Sequence, residues 1–313
     1  MLVSINLLLA QAPAIAWQKR IGGTKNELPR CKIQKTNDGG FIFGGDSASD
    51  ANNEKTENCR GGSDYWIVKT DSSGNIEWDK TIGGAQLNGF PSYEDDFLKS
   101  VFQTTDGGYL LCGDSNSPVS ADKTEACRGY ADIWVVKLSS TRAIEWQRAI
   151  GGSFFDHFSI AINTQDGGYL IHCVSPSSIS GEKTEDSRGD YDIWLVKLSS
   201  TGLIEWQKTI GGSGRDGVDN IIQNPDGTYV LAGSSSSNIS GEKSENSHGN
   251  SDIWLLKLDN IGNILYQKTI GGSGAEGTRN IIATNDGNYF ISATSDSPIS
   301  GDKTDSCRGG NDI

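Results

Sequence analysis

The sequence lacks a long hydrophobic run, a basic cluster and any Cys-x-x-Cys pair. No stretch approaches the length of about 18 apolar residues that a membrane-spanning helix needs, so we expect no membrane span. With 27 Lys and Arg against 40 Asp and Glu, the net charge is −13. Such a chain offers no basic patch for phosphates, which disfavours a nucleic-acid partner. The missing Cys-x-x-Cys spacing disfavours a structural zinc site.

Motifs for catalysis are also scarce. The chain has three histidines, His157, His172 and His248, and it contains no Gly-x-Ser-x-Gly turn, no P-loop and no His-x-x-x-His. Acidic residues are abundant, but no pair of carboxylates is unique. We therefore predict no catalytic residue and no cofactor. A carboxylate pair near the centre of the fold remains the alternative.

What the chain does contain is one unit of about 60 residues, repeated five times. Each copy has the same order of Ile-Gly-Gly, an Asp-Gly or Asp-Gly-Gly turn and a charged loop, followed by an Asp-x-Trp strand start in the first four copies. The Ile-Gly-Gly motif begins at Ile21, Ile82, Ile150, Ile210 and Ile270. Regular repetition indicates stacked or radial modules that bury their cores against one another.

The fourth copy shows the pattern of one unit. Short apolar or alternating segments predict strands at residues 218–224, 228–234, 252–259 and 264–270, and Pro225-Asp226-Gly227 predicts the first hairpin turn. Four antiparallel strands per repeat are typical of a β-propeller blade. A β-helix has much shorter rungs, and separate sandwiches would need linkers. We predict an all-β fold, a β-propeller of about five four-stranded blades.

The two ends of the chain predict how the ring closes. Residues 15–21 match the fourth strand of a blade, and residues 311–313 match the start of a third strand. We therefore expect the N-terminal strand to close the ring by pairing with a truncated last blade. The units are residues 22–82, 83–150, 151–210, 211–270 and 271–313 of one domain spanning 15–313.

Residues 1–14 contain an apolar run that ends in Ala10-Gln11-Ala12. This resembles the later part of a secretory signal peptide, although the basic n-region is missing. The alternative is an ordinary first strand. We predict a signal-peptide remnant, and hence a secreted or cell-surface protein.

The full repeat, with strands ending in Ala-Gly-Ser, then Asp-Ile-Trp-Leu-Val-Lys-Leu and Ile-Glu-Trp-Gln-Lys-Thr-Ile-Gly-Gly, resembles the propeller repeats of secreted bacterial proteins. Those proteins often carry a C-terminal sorting domain for type IX secretion. The resemblance covers nearly all of 15–313 and implies export and a surface or extracellular role. Segments 36–40, 104–108 and 164–168 also partly resemble the Asp-box of sialidase-like propellers, a folding motif that transfers no catalysis.

The six cysteines leave two alternatives open. Cys59, Cys127 and Cys307 share a position with serines in the other copies, which favours a small loop residue over an obligatory bridge. Cys112 and Cys173 lie in equivalent strands, one residue out of phase. Because alternate residues of a strand point to opposite faces, these two could form a disulfide between neighbouring blades.

The charged loop, at 180–189 in the third copy, has two interpretations. Its acidic side chains could bind calcium, which takes oxygen ligands. The favoured interpretation is a loop ordered by its own Lys–Glu and Arg–Asp surface pairs. The eight tryptophans hold fixed positions in the strands, so we predict that they form the core rather than a sugar-binding surface.

Deviations from the repeat are the better guide to a binding site. The second copy has extra residues between Gly84 and Phe97, and the third has an aromatic segment at 154–158. Exposed loops on a rigid scaffold commonly carry binding residues. The candidate ligand-binding residues are Phe90, Tyr93, Asp95, Asp96, Phe155 and His157.

These observations favour a secreted, non-catalytic, monomeric propeller that binds a protein or glycan ligand at the cell surface. Two alternatives stay open. One is a glycan-processing hydrolase with a carboxylate pair near the propeller centre. The other is a purely structural module of a larger secreted protein.

Overall fold

The computed structural model describes residues 15–85 and 94–313. Throughout these two ranges the regular secondary structure is β-strand, and the ranges contain no helix. Consequently no helix in the described part of the chain is long and apolar enough to cross a membrane.

The strands form successive antiparallel sheets, one for each repeat. Blade 1 contains β1 (Glu27–Pro29), β2 (Gln34–Lys35), β3 (Phe41–Ser47), β4 (Asp64–Thr70) and β5 (Ile76–Ile82). Blade 2 contains β6 (Asp96–Gln103), β7 (Tyr109–Ser115), β8 (Asp132–Leu138) and β9 (Ile144–Ile150). Blade 3 contains β10 (His157–Asn163), β11 (Tyr169–Ser175), β12 (Asp192–Leu198) and β13 (Ile204–Ile210). Blade 4 contains β14 (Asp216–Gln223), β15 (Tyr229–Ser235), β16 (Asp252–Leu258) and β17 (Ile264–Ile270).

The fifth unit contributes β18 (Glu276–Ala283) and β19 (Tyr289–Ser295). Asp312 then pairs with Ser295, in the register that Asp252 keeps with Ser235 in blade 4. The predicted all-β propeller of repeated four-stranded sheets is confirmed. In the fourth copy the first strand begins two residues earlier than predicted, at Asp216.

The hydrophobic core lies between neighbouring blades. Every residue of β8 and β12 is buried, because each of these third strands is covered on both faces. One cluster joins Cys112 and Ile133 of blade 2 to Trp194 and Val196 of blade 3. Each blade therefore shields the apolar flank of the next, as expected for a repeat protein.

A buried lysine fixes the Asp-Gly-Gly turns of blades 1, 2 and 3. In blade 2, Gly107 has a φ of 81°, which favours glycine, and Asp106 accepts a hydrogen bond from the backbone N–H of Gly108 at 2.9 Å. Lys137 is 1% exposed and pairs with Asp106 at 2.9 Å. Burial works to raise the pKa of Asp106, but hydrogen bonds from Thr104, Lys137 and Gly108 lower it to about 2. The pair of Asp106 with Lys137 therefore connects the turn to β8, the third strand of the same blade.

The Ile-Gly-Gly motif marks a crowded junction. A Cβ at Gly151 would stand 2.2 Å from the carboxyl carbon of Asp132, and one at Gly152 would stand 2.4 Å from the Cβ of Ser177 in blade 3. Neither position tolerates a side chain. The motif therefore recurs because the chain must pass closely between a buried aspartate and the next blade.

The lysine of the charged loop is buried, whereas the sequence predicted that it forms a surface pair with a glutamate. Lys183 is 1% exposed, donates to Ser187 Oγ at 3.0 Å and lies 5.7 Å from the ring centroid of Trp194. The equivalent lysines are buried over tryptophans in the same way, namely Lys55, Lys123 and Lys243. The loop lysine is therefore a core residue, stabilised by hydroxyl groups and a cation–π contact.

The loop arginines link neighbouring blades. Arg60 pairs with Asp122 at 2.8 Å, and Arg188 pairs with Glu242 at 2.8 Å. The predicted pairing within one loop is also present, since Arg60 lies 3.4 Å from Glu57 and Arg188 lies 3.8 Å from Glu185. The pairs with the next copy connect one loop to another. Exposed pairs of this kind contribute roughly 0–1 kcal/mol each, so they align the loops more than they stabilise the fold.

All six cysteines are free thiols, so the disulfide considered between Cys112 and Cys173 is wrong for this structure. Both side chains are fully buried in one core cluster, where burial raises their pKa values well above the ordinary value. At the loop position, Cys127 accepts a contact from Lys123 at 3.1 Å, as Ser187 does from Lys183. The Cys/Ser exchange therefore preserves a partner for the lysine.

The two tryptophan series differ in burial. Trp134, Trp194 and Trp254 in the third strands are at most 1% exposed, which confirms them as core. Trp146, in a fourth strand, is only partly buried, and Trp17 is 44% exposed. Tryptophans of the outer strands cover the flank of the next blade instead of filling its interior.

The N-terminal segment lies against blade 1. A Cβ at Gly74 would meet the Trp17 ring, just as one at Gly202 would meet the ring of Trp146 from the preceding blade. Trp17 thus occupies the place of a fourth-strand tryptophan. Residues 15–21 form no assigned strand, so closure of the ring by strand pairing stays a prediction.

Candidate functional site

The predicted site residues fall into three groups. Phe90 and Tyr93 lie outside the described residues. Asp95 and Phe155 occupy equivalent positions at successive blade junctions, since Asp95 bridges to Ser63 and Phe155 bridges to Ala131. Asp95 is half-buried, and burial raises its pKa.

Asp96 belongs to the core and is unavailable to a ligand. It is fully buried, and it accepts hydrogen bonds from the Gly84 N–H at 2.8 Å and from Ser117 Oγ at 3.0 Å. Asp156 and Asp216 make the same contacts with Gly152 and Gly212. Because this role repeats in blades 3 and 4, and Glu276 takes it in the fifth unit, Asp96 is removed from the candidate site.

Burial raises the pKa of Asp96 to about 6, and the neighbouring Asp64 carboxylate adds repulsion. The folded state therefore favours the protonated acid. The resulting stability is fully present below the ordinary value of 3.8 and is lost as the pH rises through about 6.

We expect Asp96→Asn, which cannot ionise, to gain stability relative to the wild type as the pH rises from about 4 to about 7, by about 1–2 kcal/mol. Urea unfolding of both proteins at the two pH values measures this difference. An unchanged difference would show that folding does not raise the pKa of Asp96. Lys35→Gln changes an exposed side chain and serves as the control. Its stability relative to the wild type should be the same at both pH values.

Phe155 and His157 belong to an exposed aromatic stack. Phe155 stacks on Tyr130 at a centroid distance of 5.1 Å and an interplanar angle of 16°, and on His157 at 6.0 Å and 11°. Tyr130 is 66% exposed and Phe155 is 45% exposed. We call Tyr130, Phe155 and His157 the aromatic stack. The sequence identified two of its members and missed Tyr130.

The aromatic stack is specific to the junction of blades 2 and 3. Where blade 3 begins with Phe155 and His157, blade 4 has Arg215 and Gly217, and the fifth unit has Ala275 and Gly277. A structural requirement of the blade would recur at these positions, as Asp96 does. The junction of blades 3 and 4 has a different contact, with the Arg215 guanidinium 4.9 Å from the ring centroid of Tyr191. Among the described residues, the three-ring stack therefore belongs to one junction.

A buried aspartate connects the stack to the axis of the propeller. Asp114 lies 3.1 Å from His157 Nδ1 and accepts a hydrogen bond from the Phe158 N–H at 2.8 Å. The same carboxylate accepts a hydrogen bond from Lys99 Nζ at 2.5 Å. Asp114 thus fixes both the imidazole and the ammonium group.

Lys99 lines a central cavity of about 540 Å³. Its walls come from the inner edges of blades 1 to 4, that is, from β2, β6, β10 and β14 with residues just before β2. Charged side chains on the walls are Arg30, Lys32, Lys99 and Asp219. A cavity of this volume holds a small ligand or one to two sugar residues. We call it the central cavity.

The histidines do not form a catalytic arrangement. His172 is fully buried, and burial lowers its pKa to about 3, so it stays neutral. His248 lies 3.9 Å from Asp302 at the position where other copies have arginine. His157 is the one histidine that reaches the aromatic stack.

Within residues 15–85 and 94–313, no group of three or more His, Cys, Asp or Glu side chains is arranged to hold a metal ion. The acids of the charged loop accept hydrogen bonds from the protein, and calcium binding by them stays an open alternative. Glu185, for example, accepts a hydrogen bond from the Thr209 N–H at 2.7 Å, and Glu182 accepts one from the Gly151 N–H at 3.2 Å.

No protein-family model matches the chain, and no curated protein matches its sequence. Among solved structures, Kuenenia stuttgartiensis hydrazine synthase matches with a TM-score of 0.45 and 14% identity over 90% of this chain and 60% of that one. An endo-arabinase from Bacteroides thetaiotaomicron matches with a TM-score of 0.41 and 13% identity, over 88% of this chain and 92% of that one. BamB from Moraxella catarrhalis matches with a TM-score of 0.27 and 11% identity, over 83% of this chain and 81% of that one.

This chain spans no more than 60% of the length of the first three matched structures. At these TM-scores and identities, the likeness carries no argument about activity.

Proposed function

We propose that this protein is a non-catalytic β-propeller that binds glycans at the bacterial cell surface or outside the cell. The observation that carries the proposal is the exposed aromatic stack, built from residues that only one blade junction has. Exposed positions on a rigid scaffold are where binding residues concentrate.

A glycan fits the stack better than a protein partner does. The Tyr130 ring, 66% exposed and held in place by the Phe155 ring beneath it, offers apolar surface to the C–H face of a sugar. The tyrosine hydroxyl and the imidazole of His157 offer hydrogen bonds. The adjoining central cavity is concave and lined by polar side chains such as Ser159 and Asn163. A stable protein interface would bury roughly 800 Å² on each partner, more than the three side chains of the aromatic stack provide.

The hydrolase alternative has less support. Glycoside hydrolysis generally uses two carboxyl groups that flank the bond. Asp219 is the one carboxylate among the described residues that line the central cavity. The carboxylates that come in pairs, such as Asp64 and Asp96, are fully buried in every blade.

Export is the second part of the proposal. It is supported by the resemblance to secreted bacterial propeller repeats and by the apolar run in residues 1–14. The net charge of −13 suits a protein that must stay soluble.

Tyr130→Ala should weaken glycan binding about two- to tenfold, because one stacking surface is lost. The measurement is titration with the oligosaccharides that a glycan array identifies. Tyr266→Ala is the matched control, since Tyr266 is 54% exposed on the outer strand β17.

Three results would refute the proposal. The array could bind nothing, Tyr266→Ala could weaken binding as much as Tyr130→Ala, or the oligosaccharides could be cleaved. Capture of a protein ligand that Tyr130→Ala abolishes would instead support the protein-binding alternative.

A further inference from the structure

One position of the repeat changes its charge from blade to blade. The first strands of blades 2, 3 and 4 carry a β-bulge at the same register, after Leu98, Phe158 and Val218. The residues at this bulge, with the equivalent ones of blade 1 and the fifth unit, are Arg30, Lys99, Ser159, Asp219 and Arg279. A bulge leaves its extra residue unpaired and redirects its side chain. The first four of these residues line the central cavity.

Blades 1 and 2 form a cationic wall of the cavity. The Nε of Arg30 donates to the buried Asp46, and the guanidinium group lies 5.1 Å from the ring centroid of Phe97. These contacts hold the guanidinium plane and leave its terminal nitrogens without a described protein partner. Lys32 is exposed and likewise has no described partner.

The remaining walls are neutral or acidic. Blade 3 supplies Ser159 and Asn163, and blade 4 supplies Asp219 and Asn220. Asp219 already accepts a hydrogen bond from Thr278 Oγ1 at 2.5 Å. These side chains suit the hydroxyl groups of a sugar, which can donate to a carboxylate and accept from an amide.

We propose that the central cavity binds a uronic acid residue of an acidic glycan, with its carboxylate at Arg30 and Lys32. This inference rests on the proposed glycan binding and names the class of glycan. A fixed guanidinium group pairs with a carboxylate through two parallel hydrogen bonds, and a free ammonium group adds charge. The hydroxyl groups of the same residue reach the polar walls opposite. Asp114 connects the cavity to the aromatic stack, which holds the neighbouring sugar.

The test compares an oligogalacturonate with its methyl ester, which keeps the same sugar skeleton but has no charge. The wild type should bind the free acid about tenfold or more tighter than the ester. Lys32→Gln should weaken binding of the acid several-fold and leave binding of the ester unchanged. Lys35→Gln, an exposed lysine of the same blade that does not line the cavity, should change neither.

Arg30→Gln should remove most of the preference for the acid. Because this change leaves Asp46 without its cation, its melting curve is recorded as well, and Lys32→Gln decides the matter if the Arg30 variant is unfolded. Equal binding of acid and ester would overturn the uronate assignment while glycan binding stands. Binding of neither form would overturn the uronate assignment, and the glycan array then decides on glycan binding. Tyr130→Ala should weaken acid and ester alike, which separates the stack from the cavity.

Discussion

Trp194→Ala should lower the free energy of unfolding by about 3–5 kcal/mol. Trp194 is fully buried between blades 2 and 3, and its indole N–H donates to Gln207 Oε1 at 3.0 Å. The substitution leaves a large cavity in the core cluster between blades 2 and 3 and removes the ring that faces the Lys183 ammonium group. Chemical denaturation measures the loss.

A loss below about 1 kcal/mol would contradict the assignment, because a surface side chain costs no more than that. Trp194→Phe is a useful second variant. It keeps most of the apolar volume while losing the hydrogen bond to Gln207, and it should therefore cost less than alanine does.

Gly151→Ala should destabilise the protein by about 3 kcal/mol, the upper end of the usual range for overpacking. The added methyl group would stand 2.2 Å from the carboxyl carbon of Asp132. That carboxylate cannot swing away easily, because it accepts hydrogen bonds from the N–H groups of Arg128 and Gly129.

Gly309→Ala is the matched control, because a Cβ there would meet nothing within 4 Å. Its stability in urea should equal that of the wild type. If the two alanine variants unfold at the same denaturant concentration, the Ile-Gly-Gly motif does not mark close packing.

The strands were predictable because the sequence repeats. A turn glycine such as Gly107 and a doubly apolar strand such as β8 leave the same signature in each copy, so a weak local pattern is confirmed by its recurrence. The loop lysine was not predictable. Lys183 sits among acids and serines in the sequence, and only the folding of the loop across Trp194 makes it a buried residue.

The site was predictable in part. Phe155 and His157 were visible as departures from the repeat, but Asp96 was included because the insertion before it hid its equivalence to Asp156. Tyr130 was missed, since it lies next to the repeated loop and meets Phe155 only across a blade junction.

The residues of the central cavity could not be identified from the sequence pattern alone. Lys99, Ser159 and Asp219 occupy one register, and their change of charge becomes meaningful only once the β-bulge aligns them at the axis. Without the strand register, they appear as ordinary polar residues of half-exposed strands.

The central claim is that repeated side chains hold the fold and copy-specific ones bind the ligand. Thermal melting of Trp194→Ala beside Tyr130→Ala tests it most directly. We expect the melting temperature to fall by roughly 10 °C for Trp194→Ala. For Tyr130→Ala, a 66% exposed residue, we expect almost no change. An equal fall in both variants would contradict the claim.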